Sequence, residues 1–138
     1  MLESQKASFS LENFKVPAFT YNEGDEKNAE VKIGFSPQGT FNVKSEEYHL
    51  TLKISVKSAD EDEMLFELTS VAIFKFNNVS KLTDIPPYFY KNAIAIVFPY
   101  IRAFISTLTL QANTRLLKLG LLNLSKLEKP LIENTVEI

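Results

Sequence analysis

The chain has no cysteine and no tryptophan, one histidine, and four glycines scattered at positions 24, 34, 39 and 120. Without cysteine there can be no disulfide framework, no thiolate zinc or iron–sulfur ligand set and no cysteine nucleophile, and one imidazole excludes a poly-histidine metal centre. The dispersed glycines form no phosphate-cradling loop and no Gly-x-Ser-x-Gly elbow. His49 falls on the polar side of an alternating stretch, beside Thr51 and Lys53, where a solvated strand residue is expected. The acidic runs Asp25-Glu26 and Asp60-Glu61-Asp62-Glu63 lack the ligand spacing of a calcium loop and read as solvated connections. No enzyme activity, metal or cofactor is therefore expected.

Charge of one sign is also scarce, since the net charge is -2 over 138 residues. Residues 1–80 carry 13 acids and 8 bases, whereas residues 81–138 carry 4 acids and 7 bases. The basic excess forms no run, which argues against a nucleic-acid groove. The first residues show no positive region followed by an apolar stretch, so no secretory signal is visible and a cytoplasmic location is expected. Ala93 to Leu110 is long and apolar enough to resemble a membrane span, but it contains Pro99 and Arg102. A central arginine costs about 2.5–3.5 kcal/mol on insertion scales, so a buried core helix is the better reading, without membrane insertion.

Against these absences stand eleven Phe and five Tyr. The length suits one domain spanning residues 1–138, with residues 1–7 and 129–138 expected as loosely ordered tails. Residues 7–16 alternate with a slip of phase, predicting a strand with a bulge that ends at Pro17. Residues 22–30 read as a loop. Val31, Ile33 and Phe35 alternate, Ser36-Pro37-Gln38-Gly39 has a turn composition, and Phe41 and Val43 resume the pattern. Tyr48, Leu50, Leu52, Ile54 and Val56 alternate strictly with polar residues, the signature of a strand with one wet face. Residues 64–76 form its hairpin partner, with apolar residues on both faces and small Ser70 and Ala72 between phenylalanines.

Asp84-Ile85-Pro86-Pro87 stops one element and starts a helix, whose stripe is Ile94, Val97, Ile101, Ile105 and Leu108. Pro99 predicts a break or kink there, with the longer arm from Phe98 to about Gln111. A Leu-rich end follows. The apolar faces exceed what one sheet and one helix can cover in a monomer. The surplus at Phe66, Leu68, Ser70, Phe98, Ile101, Phe104 and Ile105 is therefore expected to form subunit contacts.

Three stretches give the chain a family likeness: Glu30-Val31-Lys32-Ile33, Val71-Ala72-Ile73-Phe74 and, most specifically, Val97-Phe98-Pro99-Tyr100-Ile101-Arg102 followed by Ile105-Ser106. From about Ser8 to Leu127 the sequence resembles the protein-export chaperone family SecB. The resemblance implies an α+β fold: a four-stranded antiparallel sheet with a long helix packed on one face and a short C-terminal helix, assembled as a dimer of dimers (a homotetramer). It implies ATP-independent holding of unfolded polypeptides or preproteins and delivery to the motor SecA. The client groove would then involve Phe19, Tyr21, Leu122, Leu124 and Leu127, and the motor-binding sheet face Leu65 and Glu67. Lys15 stands where the family carries an acid, Ala112-Asn113-Thr114-Arg115 replaces its Gly-x-Phe-Pro segment, and the residues from Glu128 on lack its basic motor-binding tail. These departures support an alternative, a SecB-like protein dedicated to one partner, for example of antitoxin type. A third reading, a lipid-holding cleft, lacks convergent polar groups to orient a ligand.

Overall fold

The structure, a computed structural model, describes residues 8–24, 30–59, 63–114, 117, 119 and 122–138. It is α+β. Four long strands, β1 (Ser8–Tyr21), β2 (Val31–Asn42), β3 (Glu47–Ser58) and β4 (Met64–Asn77), precede a 24-residue helix, α1 (Tyr88–Gln111). A 3-10 turn (Leu124–Leu127), a short helix α2 (Glu128–Glu133) and a last strand β5 (Thr135–Glu137) complete the chain. The sheet order is β1-β4-β3-β2-β5.

The sheet thus departs from the expected four antiparallel strands: it has five, and β5 runs parallel to β2 through Gly39, Thr40 and Phe41. Residues 129–138, expected as a loose tail, instead build α2 and β5. Leu131 supplies the anchor, being fully buried, and main-chain bonds join Gly39 N to Asn134 O and Ile138 N to Phe41 O. A single buried leucine and a few sheet bonds suffice to order a stretch with no periodicity long enough to detect.

Three prolines also sit inside elements that they were expected to end, break or kink. β1 continues through Pro17 because it is an edge strand, and its register shifts between Leu11 and Asn13 and again between Lys15 and Ala18. β2 continues through Ser36-Pro37-Gln38-Gly39 without any shift against β3. Gly39 and Phe41 turn their main-chain groups away from β3, and the same parity directs the missing N–H of Pro37 outward, where β3 does not need it. Within α1, Pro99 and Ala95, whose carbonyl the missing donor would have met, are both exposed, so water can serve that carbonyl and the helix runs unbroken.

One face of the sheet packs on α1. Phe41, Tyr48, Leu50, Leu52, Ile54 and Val56 meet Phe66, Leu68, Ala72, Phe74 and Phe76 across the strands, all essentially inaccessible. The helix answers with a stripe two residues wide, including Phe89, Ala93, Ile94, Val97, Phe98, Ile101 and Ile105. One side of its apolar length is thus spent on the sheet, although by length and composition it could cross a membrane. Phe89 lies at the centre of the aromatic set, 4.9 Å from Phe9, 4.8 Å from Tyr48 and 4.8 Å from Phe76 between ring centroids. Ser70 allows close strand approach and satisfies its buried hydroxyl on Leu52 O at 3.0 Å.

The helix stops at Asn113, whose left-handed φ of 61° ends the spiral while the N–H of Thr114 reaches back to Thr109 O. Thr109 then pins the returning chain. Its buried hydroxyl donates to Ile105 O and accepts from Leu117 N at 3.0 Å.

Candidate functional site

The aromatic side chains not consumed by the core gather along one flank, where β1 runs beside α1. Phe14 stacks on Tyr100 at 5.3 Å with the planes 29° apart, and Phe19 meets Phe104 edge-on at 5.2 Å. Tyr21 lies 5.4 Å from Phe66, which in turn reaches Phe104 at 6.4 Å. The row follows from β1: its helix-facing positions, Phe9, Leu11, Phe14, Val16, Phe19 and Tyr21, stay in phase with the core through the two register shifts. Phe19 is 46% exposed and Tyr100 51% exposed. The Tyr21 phenol is 2.7 Å from Thr114 Oγ1, which itself donates to Thr109 O, so the end of β1 is tied to the end of α1.

This surface offers apolar area and flat rings with no ionisable group among the row except the phenols of Tyr21 and Tyr100. Rings on rigid elements bind varied apolar segments with little loss of rotamer entropy. Arg102 lies 5.8 Å from the Phe98 ring, a cation–π contact on the β2 side of α1, away from the row. Among the described residues no three His, Asp or Glu side chains come together as a metal site. Burial raises the Tyr48 phenol far above the ordinary tyrosine range, only partly offset by its hydrogen bond to Thr135, and burial also raises Tyr90; both belong to the core.

The structure divides the expected groove. Phe19 and Tyr21 stand on the β1 flank. Leu122, Leu124 and Leu127 are half-buried and belong to the segment leading into α2, which packs against β2 at the other side of the sheet. Three strand spacings, about 14 Å, separate β1 from β2. Tyr100 and Phe104 join the row although the sequence reading reserved Phe104 for subunit contact and gave Tyr100 no site role. Their signal was the i, i+4 spacing on a helix face adjoining the main stripe.

On the sheet face away from α1, Glu67 is exposed but Leu65 is 4% exposed, covered by the chain at Gly24. A shallow depression of about 550 Å³ crosses this face over small side chains such as Ala18, Gly34 and Ser55, with Lys53 and Glu67 at its lining. The residues expected to make subunit contacts lie inside the single chain. Phe66, Leu68, Ser70, Phe98, Ile101 and Ile105 are at most 4% exposed within the single chain, and Phe104 is half-buried. They are spent on sheet–helix packing, because the inner side of α1, which carries Phe98, Ile101 and Ile105, covers the face of β4 that carries Phe66, Leu68 and Ser70. The outer face of α1 instead presents Tyr88, Ile96, Tyr100 and Leu110, interspersed with Ala95 and Ala103.

Fold and surface together define an α+β module with an aromatic, weakly charged contact face. The family model for preprotein translocase subunit SecB matches residues 6–129, and the chain belongs to the SecB family. No curated protein matches it in sequence. Among solved structures it is similar to a SecB-like chaperone of Mycobacterium tuberculosis in complex with a ChAD peptide from the HigA1 antitoxin. The TM-score is 0.67 at 12% identity, covering 83% of this chain and 88% of that one. It is also similar to a protein of unknown function from Streptococcus agalactiae, with a TM-score of 0.48 at 8% identity, covering 83% of this chain and 98% of that one.

Proposed function

We propose that this protein is an ATP-independent holding chaperone that binds unfolded or non-native polypeptides, including preproteins awaiting translocation, in the cytoplasm. The observation that carries the reading is the row Phe14–Tyr100, Phe19–Phe104 and Tyr21, whose rings remain partly exposed on rigid elements and are backed by the buried Phe66. Membership of the SecB family supports it. Such a row takes apolar segments of many sequences because it asks for area rather than for particular hydrogen bonds.

The outer face of α1 fits the proposed dimer of dimers. Ile96 and Leu110 belong to an apolar surface that a second dimer would cover, with Ala95 and Ala103 allowing close helix approach. Light scattering should then return a tetramer, and Ile96→Glu should reduce it while leaving the single-chain core intact.

The function is tested by following aggregation of a chemically denatured client on dilution, without nucleotide. Wild type should suppress the scattering. Phe19→Ser should suppress it less while shifting stability by less than ~1 kcal/mol, because Phe19 is half-exposed. A wild-type protein that leaves aggregation unchanged would sink the reading.

A second reading is a SecB-like protein dedicated to one partner. The solved neighbour holds a peptide from an antitoxin, and Lys15 is exposed on β1 where the family resemblance implies an acid. Co-purification of one stoichiometric partner, with no affinity for a panel of unfolded proteins, would favour it and would leave SecA without a role.

A further inference from the structure

The chain as a whole carries a net charge of -2, yet the sheet face turned away from α1 is basic. Lys15, Lys32, Lys53, Lys57 and Lys75 occupy its positions on the four long strands, against Glu47 and Glu67. At one end the charges are engaged: Glu47 lies 3.4 Å from His49 Nε2, and Lys75 Nζ donates to Ser45 O. Elsewhere they are not. Lys15, Lys53 and Lys57 meet no carboxylate within ion-pair distance among the described residues, although the sequence holds 17 acids. Glu67, one strand over from Ser55 and so diagonal to Lys53, makes no pair with it. The fold thus collects unpaired cations on one surface of an acidic protein.

The three unpaired lysines frame the shallow depression on this face. Lys53 lines it, while Lys15 holds the next outward position beyond Ala18 and Lys57 the next beyond Ser55. Between them Ala18, Ser36, Ser55 and Thr69 keep the floor low. Strand geometry puts Lys53 about 13 Å from Lys57 along β3 and about 12 Å from Lys15 across β4. We propose that this face is a docking surface for an acidic segment of a partner protein, laid in the depression with its carboxylates on Lys15, Lys53 and Lys57. The spacings exceed the screening length of about 10 Å in 0.1 M salt, so each lysine must be met by a carboxylate of its own. An extended segment brings them when its acids stand about four residues apart. Half-buried Val71, opposite Lys15 in the register, offers the same segment an apolar contact. Lys15 stands here where the family resemblance implies an acid, which sets this face apart from the family's. Because α1 and the aromatic row lie on the other side of the sheet, the surface goes beyond the holding reading and does not depend on it.

The test is fluorescence anisotropy of the full chain with a labelled alternating glutamate–serine peptide of about twelve residues, long enough to reach all three lysines. A lysine–serine peptide of equal length is the control. The acidic peptide should bind and the basic one should not, and the affinity should fall about tenfold between roughly 50 and 200 mM salt. Lys53→Glu and Lys15→Glu should each weaken binding about fivefold. Lys91→Glu makes the same change of net charge at an exposed position of α1 and should alter it less than ~2-fold. All three lysines are exposed, so these variants should fold as wild type does. Failure of the acidic peptide to bind, or an equal loss in all three variants, overturns the proposal. Retention of the protein on phosphatidylglycerol vesicles that Lys53→Glu abolishes, with no binding of the peptide, would give the face to a lipid surface and also overturns it.

Discussion

Gly39→Ala would test whether the C-terminal strand is fitted to the sheet or merely rests on it. A Cβ at this position would lie 1.8 Å from the Tyr48 hydroxyl oxygen, 2.4 Å from its Cζ and 2.7 Å from Thr135 Oγ1. Tyr48 is fully buried and cannot simply swing aside. Overpacking of this kind costs about 1–3 kcal/mol. Moving the ring also breaks the 2.6 Å bond between Tyr48 and Thr135, whose hydroxyl donates onward to Leu131 O and so must accept from the phenol. The loss adds about 1 kcal/mol. If the C-terminal strap formed by α2 and β5 detaches instead, exposing Leu131 costs about 2–3 kcal/mol, so either route converges near ~3 kcal/mol. Urea unfolding should show a midpoint lowered by roughly 1–3 M for a chain of this size. Amide exchange at Val43 and Ile138, which bond across the strap, should accelerate. Gly34→Ala is the control: its Cβ would meet only the Ser55 hydroxyl at 2.8 Å, which can rotate away, and should cost less than ~1 kcal/mol. A Gly39→Ala protein within about 0.5 kcal/mol of wild type, with exchange at Val43 and Ile138 unchanged, would refute the reasoning.

Three further outcomes are expected. Because burial holds the Tyr48 phenol un-ionised in the folded chain while the unfolded chain ionises it near ~10, its stabilising contribution is complete below that pH and is lost as pH rises above it. Urea midpoints should fall above pH ~10, and Tyr48→Phe should flatten that fall; an identical slope in the variant would contradict the assignment. Phe89→Ala removes the ring shared by Phe9, Tyr48, Phe74 and Phe76 and should cost about 3–5 kcal/mol in the same assay. Pro99→Ala restores a donor to the exposed carbonyl of Ala95 and should stabilise α1 by about 1–3 kcal/mol; a loss of stability on calorimetry would mean that the proline ring is packed.

Where periodicity is long, the sequence already reveals the architecture. The ten-residue alternation of β3, the two-faced alternation of β4 and the stripe of α1 survive unchanged, because each is specified by many side chains at once. Proline misleads at three places for one reason: its local cost depends on whether the missing donor was needed, and at Pro17, Pro37 and Pro99 the neighbouring surface is an edge or water. The strap was illegible because three residues of strand have no detectable period and pair with a segment far away in sequence. Of the site, Phe19 and Tyr21 could be picked out as aromatics stranded beside a polar loop. Their partners could not: placing Tyr100 beside Phe14 and Phe104 beside Phe19 requires the lateral position of α1 on the sheet, which no local pattern encodes.

The bond from Asn134 to Pro37 O joins residues 97 apart in the chain. Closing a loop of that length costs about 4 kcal/mol in chain entropy alone, so the strap cannot be a nucleus and forms on a sheet already assembled from hairpins. During every folding event the edge of β2 is therefore bare along its whole length before its last residues find it. The protein thus passes, each time it folds, through a form that offers other chains a longer strand template than the finished fold retains.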